Sequence, residues 1–294
     1  MRYCKYAFLT MTQLIDMWFP SRLDPEHCPL DFFIAKYIAR FDKDKINPPN
    51  AKMRAGGEAH RAIQLQLQGK PLSEAIETCK HELSKFNALS EKDNEQLKIC
   101  IKHFDTVVQN FVLAATECHI KADEIEQLYK TEADGLDLQI GGYVDVTELN
   151  YINEFKSKWP SPFLKVDGTY SERSQAIPKN PTASNVRQAA IYSRASNKPV
   201  RIIYANHKGY QIFNKDNCDF LTPSALFAAF ETMRISARTR QNLLKIGEGA
   251  ENQAEIIARY VMPNFGHYTW SNVDDETIRE VKRLWGFRYA ANTD

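Results

Sequence analysis

The feature that most constrains the fold is a pair of short alternating segments within a sequence whose other patterns are mainly helical. Residues 136–147 are rich in β-branched side chains, and residues 151–158 alternate apolar and polar positions. Two runs of this kind joined by a short turn are typical of a β-hairpin. Because helical patterns precede and follow them, the sequence predicts a small mixed central sheet flanked by helices on both sides, which is an α/β or α+β architecture.

Other segments predict the remaining elements. Further strands are expected at 124–130, 199–205 and 210–213, and an irregular loop at 159–180. The predicted helices cover 28–41, 51–68, 73–89, 91–118 and 181–196, and the chain becomes helical again after Leu221. We expect one compact unit of three consecutive parts: a helical N-terminal part (1–120), a core (121–220) and a helical C-terminal extension (221–294).

Composition excludes several classes of protein. Of the 294 residues, 43% are hydrophobic and 11% are aromatic, which is too apolar for a disordered chain. The most apolar stretches, near 6–19 and 222–233, are too short or carry Asp16 and Glu231, whereas a membrane span needs about 20 apolar residues. No small-residue cleavage site follows an apolar run at the N-terminus, so we expect no secretory signal, no membrane partner and a cytoplasmic location.

The six cysteines are scattered without a repeated short spacing, as expected for reduced thiols. Cys100 with His103 and Cys118 with His119 resemble two halves of a zinc site. The predicted helix at 91–118 would hold the two pairs roughly 25 Å apart, however, at about 1.5 Å per residue. A shared tetrahedral ion would require that helix to break.

Charge is concentrated in one part of the sequence. The whole chain carries a net charge of +1, yet residues 151–215 contain eleven basic side chains and three acidic ones. Such an excess indicates a surface that faces a polyanion, or a solvated basic face without a partner, and charge alone does not decide between them.

The hairpin itself carries candidate chemistry. If Leu149 and Asn150 form a two-residue turn, Asp145 lies directly opposite Glu154, with Cβ atoms about 4.5–5.5 Å apart. Period-two alternation then places Lys156 on the same face as Glu154. Two carboxylates this close repel each other unless a positive group lies between them, and a divalent cation would serve. The alternative is a solvent-facing strand pair with an ordinary Glu–Lys contact.

Two other segments contribute to the same pattern. Gln188 and Tyr192 lie on one helical face at i and i+4. His60 follows Gly56 and Gly57, and glycines allow another backbone to approach closely.

Taken together, these residues resemble the PD-(D/E)XK nuclease superfamily, and most of all its RecB-like exonuclease branch, which is related to the CRISPR-associated RecB-like and lambda-type exonucleases. The resemblance covers about residues 28–205. It rests on the following residues in this order: Cys28-Pro29, Phe32-Phe33, His60, Gly142, Asp145, Glu154, Phe155, Lys156, Gln188 and Tyr192. It implies a restriction-endonuclease-like sheet. Many members of that branch carry three late cysteines that hold an iron–sulfur cluster, but only Cys218 follows Cys118 here, so no cluster is expected.

The resemblance also implies the chemistry. Mg²⁺ or Mn²⁺ would be held by Asp145, Glu154, the carbonyl of Phe155 and His60, with Glu58 and Gln64 as rivals to His60. Lys156 would act on the attacking water and the phosphate, and Gln188 and Tyr192 would position it or a DNA phosphate. The expected function is a metal-dependent DNA exonuclease in bacterial or phage recombination or repair, acting on single strands or duplex ends, with a recombination or annealing protein as a partner. A structure-specific endonuclease and a catalytically silent nucleic-acid-binding module are the alternatives.

The 159–180 loop and its flanks are the candidate DNA surface. Aromatic side chains interleaved with cations are suited to stacking on the bases of a single strand. The candidate nucleic-acid-binding residues are Lys158, Trp159, Lys165, Arg173, Lys179 and Arg187. The alternative is a surface loop whose aromatics are buried in the core. A second basic stretch, 234–245, would contact DNA or simply be solvated.

Overall fold

The computed structural model describes residues 15–46 and 48–286. Cys4, most of the apolar stretch at 6–19 and Asn47 therefore lie outside the described residues. Within the described ranges, no helix is both long enough and apolar enough to span a membrane.

The central element is a five-stranded mixed sheet. Its strands are β1 (Glu124–Thr131), β2 (Ile140–Thr147), β3 (Ile152–Ser157), β6 (Val200–Asn206) and β7 (Gly209–Phe213), in spatial order β1-β2-β3-β6-β7. β3 is antiparallel to β2 and parallel to β6, and β7 returns antiparallel to β6. The mixed sheet flanked by helices that the sequence predicts is confirmed.

The helices predicted at 51–68, 91–118 and 181–196 are observed close to their expected bounds. The α-helices are α1 (Pro20–Leu23), α2 (Leu30–Phe33), α3 (Lys43–Ile46), α4 (Ala51–Leu67), α5 (Leu72–Ser84), α6 (Glu91–Glu117), α7 (Ala183–Ser196), α8 (Pro223–Lys245), α9 (Gln253–Ala258) and α10 (Asp275–Lys282). Asn50, Ser90 and Thr182 cap α4, α6 and α7 with their side-chain oxygens.

Two predicted helices end early. The helix expected over 28–41 is an α-turn followed by a π-helix, Ile34–Ile38, and it stops before Arg40, which has a left-handed φ of 53°. The helix expected over 73–89 ends at Ser84, whose hydroxyl donates to the carbonyl of His81 at 2.7 Å and so competes with the helical ladder.

The stretch predicted as an irregular loop, 159–180, contains a small two-stranded sheet. β4 (Ser161–Leu164) pairs antiparallel with β5 (Tyr170–Arg173). The turn between them is built on Asp167 and Gly168: the Asp167 carboxylate accepts from the Thr169 amide at 2.9 Å, and Gly168 has a φ of 79°. The prediction of an unstructured loop was wrong there.

By contacts the chain divides into two compact units, each built from several segments. The first comprises residues 1–48, 130–141 and 231–294, and the second comprises residues 49–129 and 142–230. The sequence suggested three consecutive parts instead, and these contacts group the chain differently.

In the first unit, a buried polar network holds the segments together. Asp31 is 2% exposed and accepts from the Asn264 amide at 2.8 Å and from the indole of Trp270 at 3.2 Å. Buried Arg240 donates to the carbonyl of Cys28 at 2.5 Å. Satisfied buried polar groups of this kind fix the relative positions of the segments that carry them.

In the second unit, α4, α5 and α6 pack on one face of the sheet and α7 on the other. Val146, Phe155 and Ile203 belong to the apolar core shared with the three helices. On the opposite face, the hydroxyl of Tyr204 accepts from Asn185 at the start of α7. The neighbouring side chains on the α7 face of β3 are Glu154 and Lys156, so this face carries the polar residues of the predicted site.

Candidate active site

The β2–β3 hairpin has the predicted register. Val146 lies opposite Asn153, and Thr147 lies opposite Ile152. The Glu148 amide donates to the Tyr151 carbonyl at 2.8 Å and closes a two-residue turn. One step further along the same register, Asp145 lies opposite Glu154.

The two carboxylates are engaged with the strand backbone. Oδ2 of Asp145 accepts from the Phe155 amide at 2.8 Å, and the Asp145 amide donates to Oε1 of Glu154 at 3.4 Å. The Asp145 side chain is 19% exposed, whereas that of Glu154 is only 2% exposed. The alternative of a solvent-facing strand pair is therefore wrong at Glu154, which is buried on the face of the strand toward α7.

A chain of hydrogen bonds leads from Glu154 to α7. Nζ of Lys156 donates to Oε2 of Glu154 and to Oε1 of Gln188, both at 3.0 Å. Nε2 of Gln188 then donates to the hydroxyl of Tyr192 at 2.8 Å. The helical i, i+4 pair predicted from the sequence thus meets Lys156, and its amide fixes the direction of the ammonium group.

Burial and mutual charge push the two carboxyl pKa values apart. Burial and the charge of Asp145 raise the pKa of Glu154 to about 8, although Lys156 opposes the rise. Burial also acts to raise the pKa of Asp145, but His60 and Lys156 outweigh it and the pKa is lowered. Burial acts to lower the pKa of Lys156, yet Glu154 and Asp145 together raise it. The site therefore holds one ionised carboxylate, one carboxyl that gains a proton readily and one ammonium.

His60 reaches this cluster from α4. Its Nδ1 lies 3.6 Å from Oδ1 of Asp145, and its ring packs edge-on against Phe111 at 6.1 Å between centroids. Gly56 favours the close approach of α4 to β3, because a Cβ there would lie 3.2 Å from the hydroxyl of Ser157. The lack of a side chain at Gly56 thus helps α4 to lie close to β3, where His60 can reach Asp145.

The two rivals to His60 are engaged elsewhere. Glu58 is buried and pairs with Arg54 at 2.8 Å and with Arg61 at 3.6 Å. Gln64 donates to Glu126 at 3.3 Å. Both rivals and the three residues that they contact line an open cavity of about 560 Å³. Neither rival is directed at Asp145.

Metal-ligand chemistry is present in part. In the ranges that the structure describes, no group of three or more His, Cys, Asp and Glu side chains has a metal-ligating arrangement. Two ligands that bind one Mg²⁺ or Mn²⁺ at about 2.1 Å lie roughly 3–4 Å apart, and the 3.6 Å between His60 and Asp145 matches that spacing. Glu154 is instead bonded to Lys156. The donor types fit a divalent cation, and Glu154 would have to lose its proton to become a ligand.

The candidate nucleic-acid-binding residues do not form one set. Trp159 is 2% exposed and stacks on Phe104 in the core, so its predicted role in stacking on bases was wrong. Lys158 lies over the ring of Tyr204 at 5.6 Å, and Arg173 lies over Phe163 at 5.4 Å.

Three further candidates lie on the outside of the second unit or partly so. Lys165 and Lys179 are exposed, and Arg187 is half-buried on α7. Of the predicted surface, the lysines and arginines thus stay accessible, while the tryptophan is part of the core.

The basic stretch on α8 is used within the first unit. Arg234 and Arg238 donate to the carbonyl of Asp134 at 3.1 Å and 3.0 Å, and Lys245 pairs with Asp137 at 2.8 Å. These contacts account for three of its cations without a nucleic acid.

Sequence reasoning missed Lys52. Its Nζ is half-buried and donates to the hydroxyl of Ser161 at 2.6 Å, at the start of β4. The signal was present in the sequence, because Lys52, Gly56 and His60 are spaced at i, i+4 and i+8 and share one face of α4.

Comparisons with solved structures give distant likenesses, among them the two that follow. No protein-family model and no curated protein matches the chain. A crystal structure described as a "putative exonuclease" from Eubacterium rectale is 13% identical, with a TM-score of 0.49 over 79% of this chain and 82% of that one. The crystal structure of SSO0001 is also 13% identical, with a TM-score of 0.28 over 66% of this chain and 96% of that one. At these identities and scores, neither likeness carries an argument about family or activity.

Proposed function

We propose that this protein is a divalent-metal-dependent DNA exonuclease of the PD-(D/E)XK type, acting in bacterial or phage recombination or repair. The observation that carries the proposal is the convergence of four side chains from two elements: His60 on α4, and Asp145, Glu154 and Lys156 on the β2–β3 hairpin. Such a cluster of an imidazole, two carboxylates and an ammonium, with carboxyl pKa values pushed apart, is typical of a catalytic site.

Mg²⁺ or Mn²⁺ would be held by Asp145, Glu154 and His60, with the carbonyl of Phe155 as a further oxygen donor. When bound, the ion would supply Lewis-acid chemistry at the phosphodiester. Its charge would also offset the repulsion between the carboxylates, so binding would remove the proton that Glu154 keeps up to a pH of about 8.

Lys156 would act as a fixed positive charge. Its raised pKa keeps Nζ protonated at neutral pH, which favours stabilisation of negative charge on the reacting phosphate over uptake of a proton from water. Gln188 would hold Nζ in place through the 3.0 Å hydrogen bond, and Tyr192 would hold the Gln188 amide in turn. Both are positioning residues in this proposal.

The test is cleavage of four DNA substrates: linear and circular, each single- and double-stranded, with Mg²⁺, with Mn²⁺ and with chelator. An exonuclease degrades the linear forms only when metal is present, whereas cleavage of circular DNA would favour an endonuclease. Binding without cleavage of any substrate would favour a silent binding module.

Two substitutions make the test specific to this site. Asp145→Asn and Glu154→Gln should each reduce cleavage by more than about a hundredfold, because each removes an anionic ligand. Lys70→Gln, a change in an exposed i, i+4 ion pair with Glu74, is the matched control and should leave cleavage unchanged. Full activity in either site variant would contradict the proposal.

A further inference from the structure

α4 runs alongside β3 in the opposite direction, and three neighbouring pairs, with partners on β2, β3 and β4 in turn, mark what we call the α4–β3 seam. His60 lies at Asp145, Gly56 at Ser157, and Lys52 at Ser161. The three residues of α4 are two turns of one helical face, so the distance from His60 to Lys52 along the helix is about 12 Å. The seam therefore leads away from the candidate active site toward the start of β4.

The ammonium group at the far end of the seam has neutral partners. Nζ of Lys52 donates to the hydroxyl of Ser161 at 2.6 Å. With the Gln175 amide oriented to satisfy its neighbours, its oxygen accepts from the same Nζ at 3.1 Å. Burial lowers the pKa of Lys52, and the charges of Lys158 and Lys92 lower it further. This is a half-buried cation among other cations.

Lys158 is a second cation, and its charge reaches Lys52. Its amide donates to the Ala205 carbonyl at 2.8 Å and so continues the pairing of β3 with β6. The alternation of a strand places it on the same side as Lys156, two residues earlier. Its ammonium lies over the ring of Tyr204, which provides no counter-charge. Its side chain therefore lies on the α7 face, and its charge acts on Lys52 from there.

Among the side chains that the structure describes, no carboxylate pairs with Lys52. A half-buried ammonium of this kind is unfavourable for the folded chain, since desolvation of the charge is not offset. An anionic ligand would offset it. On an enzyme that acts on DNA, the anion that lies at a fixed distance from the reacting phosphate is another phosphate of the same strand.

We propose that Lys52 binds one internal phosphodiester of the substrate strand, two to four nucleotides from the reacting phosphate, so that the strand follows the α4–β3 seam. About 12 Å along the helix, divided by a rise of about 3.4 Å per nucleotide, gives the upper end of this range. A more extended strand covers the same distance with fewer nucleotides, which gives the lower end. This inference rests on the proposed function for its choice of anion.

The test maps phosphates one by one. Asp145→Asn protein is titrated with labelled single strands that each carry one neutral methylphosphonate linkage at a different position, and affinity is read by fluorescence anisotropy. One internal position should weaken binding by about tenfold, as expected for a charge-assisted contact. In a protein that also carries Lys52→Gln, the same position should lose its effect, whereas Lys70→Gln should leave the map unchanged. A flat map in the parent, or an unchanged map in Lys52→Gln, would overturn the inference.

A second measurement separates binding from a structural role. Without DNA, Lys52→Gln should melt at the same or a higher temperature than the parent, because it removes an unpaired half-buried charge. Lys52→Arg should retain the phosphate map. Loss of binding together with a lower melting temperature would mean that Lys52 supports the fold, and the inference would be wrong.

The outcomes distinguish this inference from the proposed function. Metal-dependent cleavage with a flat map would support the nuclease proposal and contradict the phosphate subsite. A single sensitive position without any cleavage by the parent would contradict the nuclease proposal and support a strand-binding site. If sensitivity follows a terminal phosphate monoester instead of an internal linkage, the ligand is a strand end and the inference fails.

Discussion

Two glutamates of the β2–β3 hairpin lie in opposite electrostatic surroundings. Glu148 accepts from Arg201 at 3.1 Å and from Asn153 at 2.8 Å, so its carboxylate is paired. Glu154 is buried beside Asp145, and its pKa is raised to about 8. A buried carboxyl such as Glu154 destabilises the folded protein when it ionises. Groups with pKa values shifted in this way are common at catalytic sites.

Glu154→Gln should stabilise the metal-free protein at neutral and alkaline pH. The folded pKa of about 8 lies above the ordinary value of 4.5, so the folded protein holds a proton that the unfolded chain loses. Stability from this group is therefore complete below about pH 4.5 and is lost as pH rises through about 8. Thermal melts with chelator should show the variant gaining a few degrees over the parent toward pH 8, with little difference in acid.

The matched control is Glu148→Gln on the same hairpin. It leaves the buried guanidinium of Arg201 without its carboxylate and should lower the melting temperature. Mn²⁺ should raise the melting temperature of the parent and not that of Glu154→Gln. If Glu154→Gln melts below the parent at pH 8, the assignment of a strained buried carboxyl is wrong.

His60 and Glu58 can be separated by metal affinity. His60→Gln should weaken Mn²⁺ binding, measured by calorimetry, by about 10- to 100-fold, because it would remove the proposed nitrogen ligand near Asp145. Glu58→Gln should leave that affinity unchanged and lower stability instead, since Arg54 and Arg61 lose their buried partner. The reverse result would make Glu58 the ligand.

At the residue scale, periodicity predicted part of the site. A period of two in β2 and β3 fixed which side chains face each other, so Asp145, Glu154 and Lys156 could be grouped from the sequence. The choice between His60 and Glu58 could not, because it depends on the arginines that flank Glu58. The burial of Trp159 also depends on a distant helix, α6, which supplies Phe104.

The element with the weakest sequence signal was the β4–β5 hairpin. Its Asp167-Gly168 pair is a recognised turn signal, but the strands are four residues each and β4 contains Pro162. The hairpin is fixed to α6 by Glu172, which accepts from His103 at 3.1 Å and from Lys102 at 3.2 Å. Tertiary contacts, more than local propensity, hold this element in place.

Glu172→Gln should loosen the hairpin at neutral pH. Although burial acts to raise the pKa of Glu172, His103 and Lys102 lower it below its ordinary value of 4.5. Stabilisation by the carboxylate is thus present above about pH 4.5 and is lost as pH falls through the folded pKa. Hydrogen exchange of β4 and β5 should be faster in the variant at neutral pH. The global effect should stay below about 1 kcal/mol, because the ion pair is partly exposed.

Urea denaturation at acid pH tests the same prediction through the free energy of unfolding. The difference in stability between the parent and Glu172→Gln should vanish once the carboxyl is protonated in both states. Glu77→Gln, which changes an exposed carboxylate on α5 of the same unit, serves as the control for a simple change of charge. A difference that persists in acid would mean that the glutamine disturbs packing.

The charge of the whole molecule is less one-sided than the sequence window suggested. Two acidic residues just outside the range 151–215 pair with cations inside it: Glu148 pairs with Arg201, and Asp216 pairs with Lys215. Sequence alone does not reveal which cations are already paired, because partners such as Glu148 and Arg201 lie 53 positions apart. What is left for a polyanion is a smaller set of exposed lysines and arginines.

For the molecule as a whole, the salt dependence of DNA binding reports how many of those cations meet phosphates. Each contact on a single strand contributes a slope of about 0.7 in log affinity against log salt. If exposed Lys165 and Lys179 both contact the strand, replacing both with serine in Asp145→Asn protein should reduce the slope by about 1.4. The control replaces Lys85 and Lys98, which pair with Glu82 and Glu95 and change the net charge equally. An unchanged slope in the first variant, or an equal fall in both, would mean that the β4–β5 region lies away from the DNA.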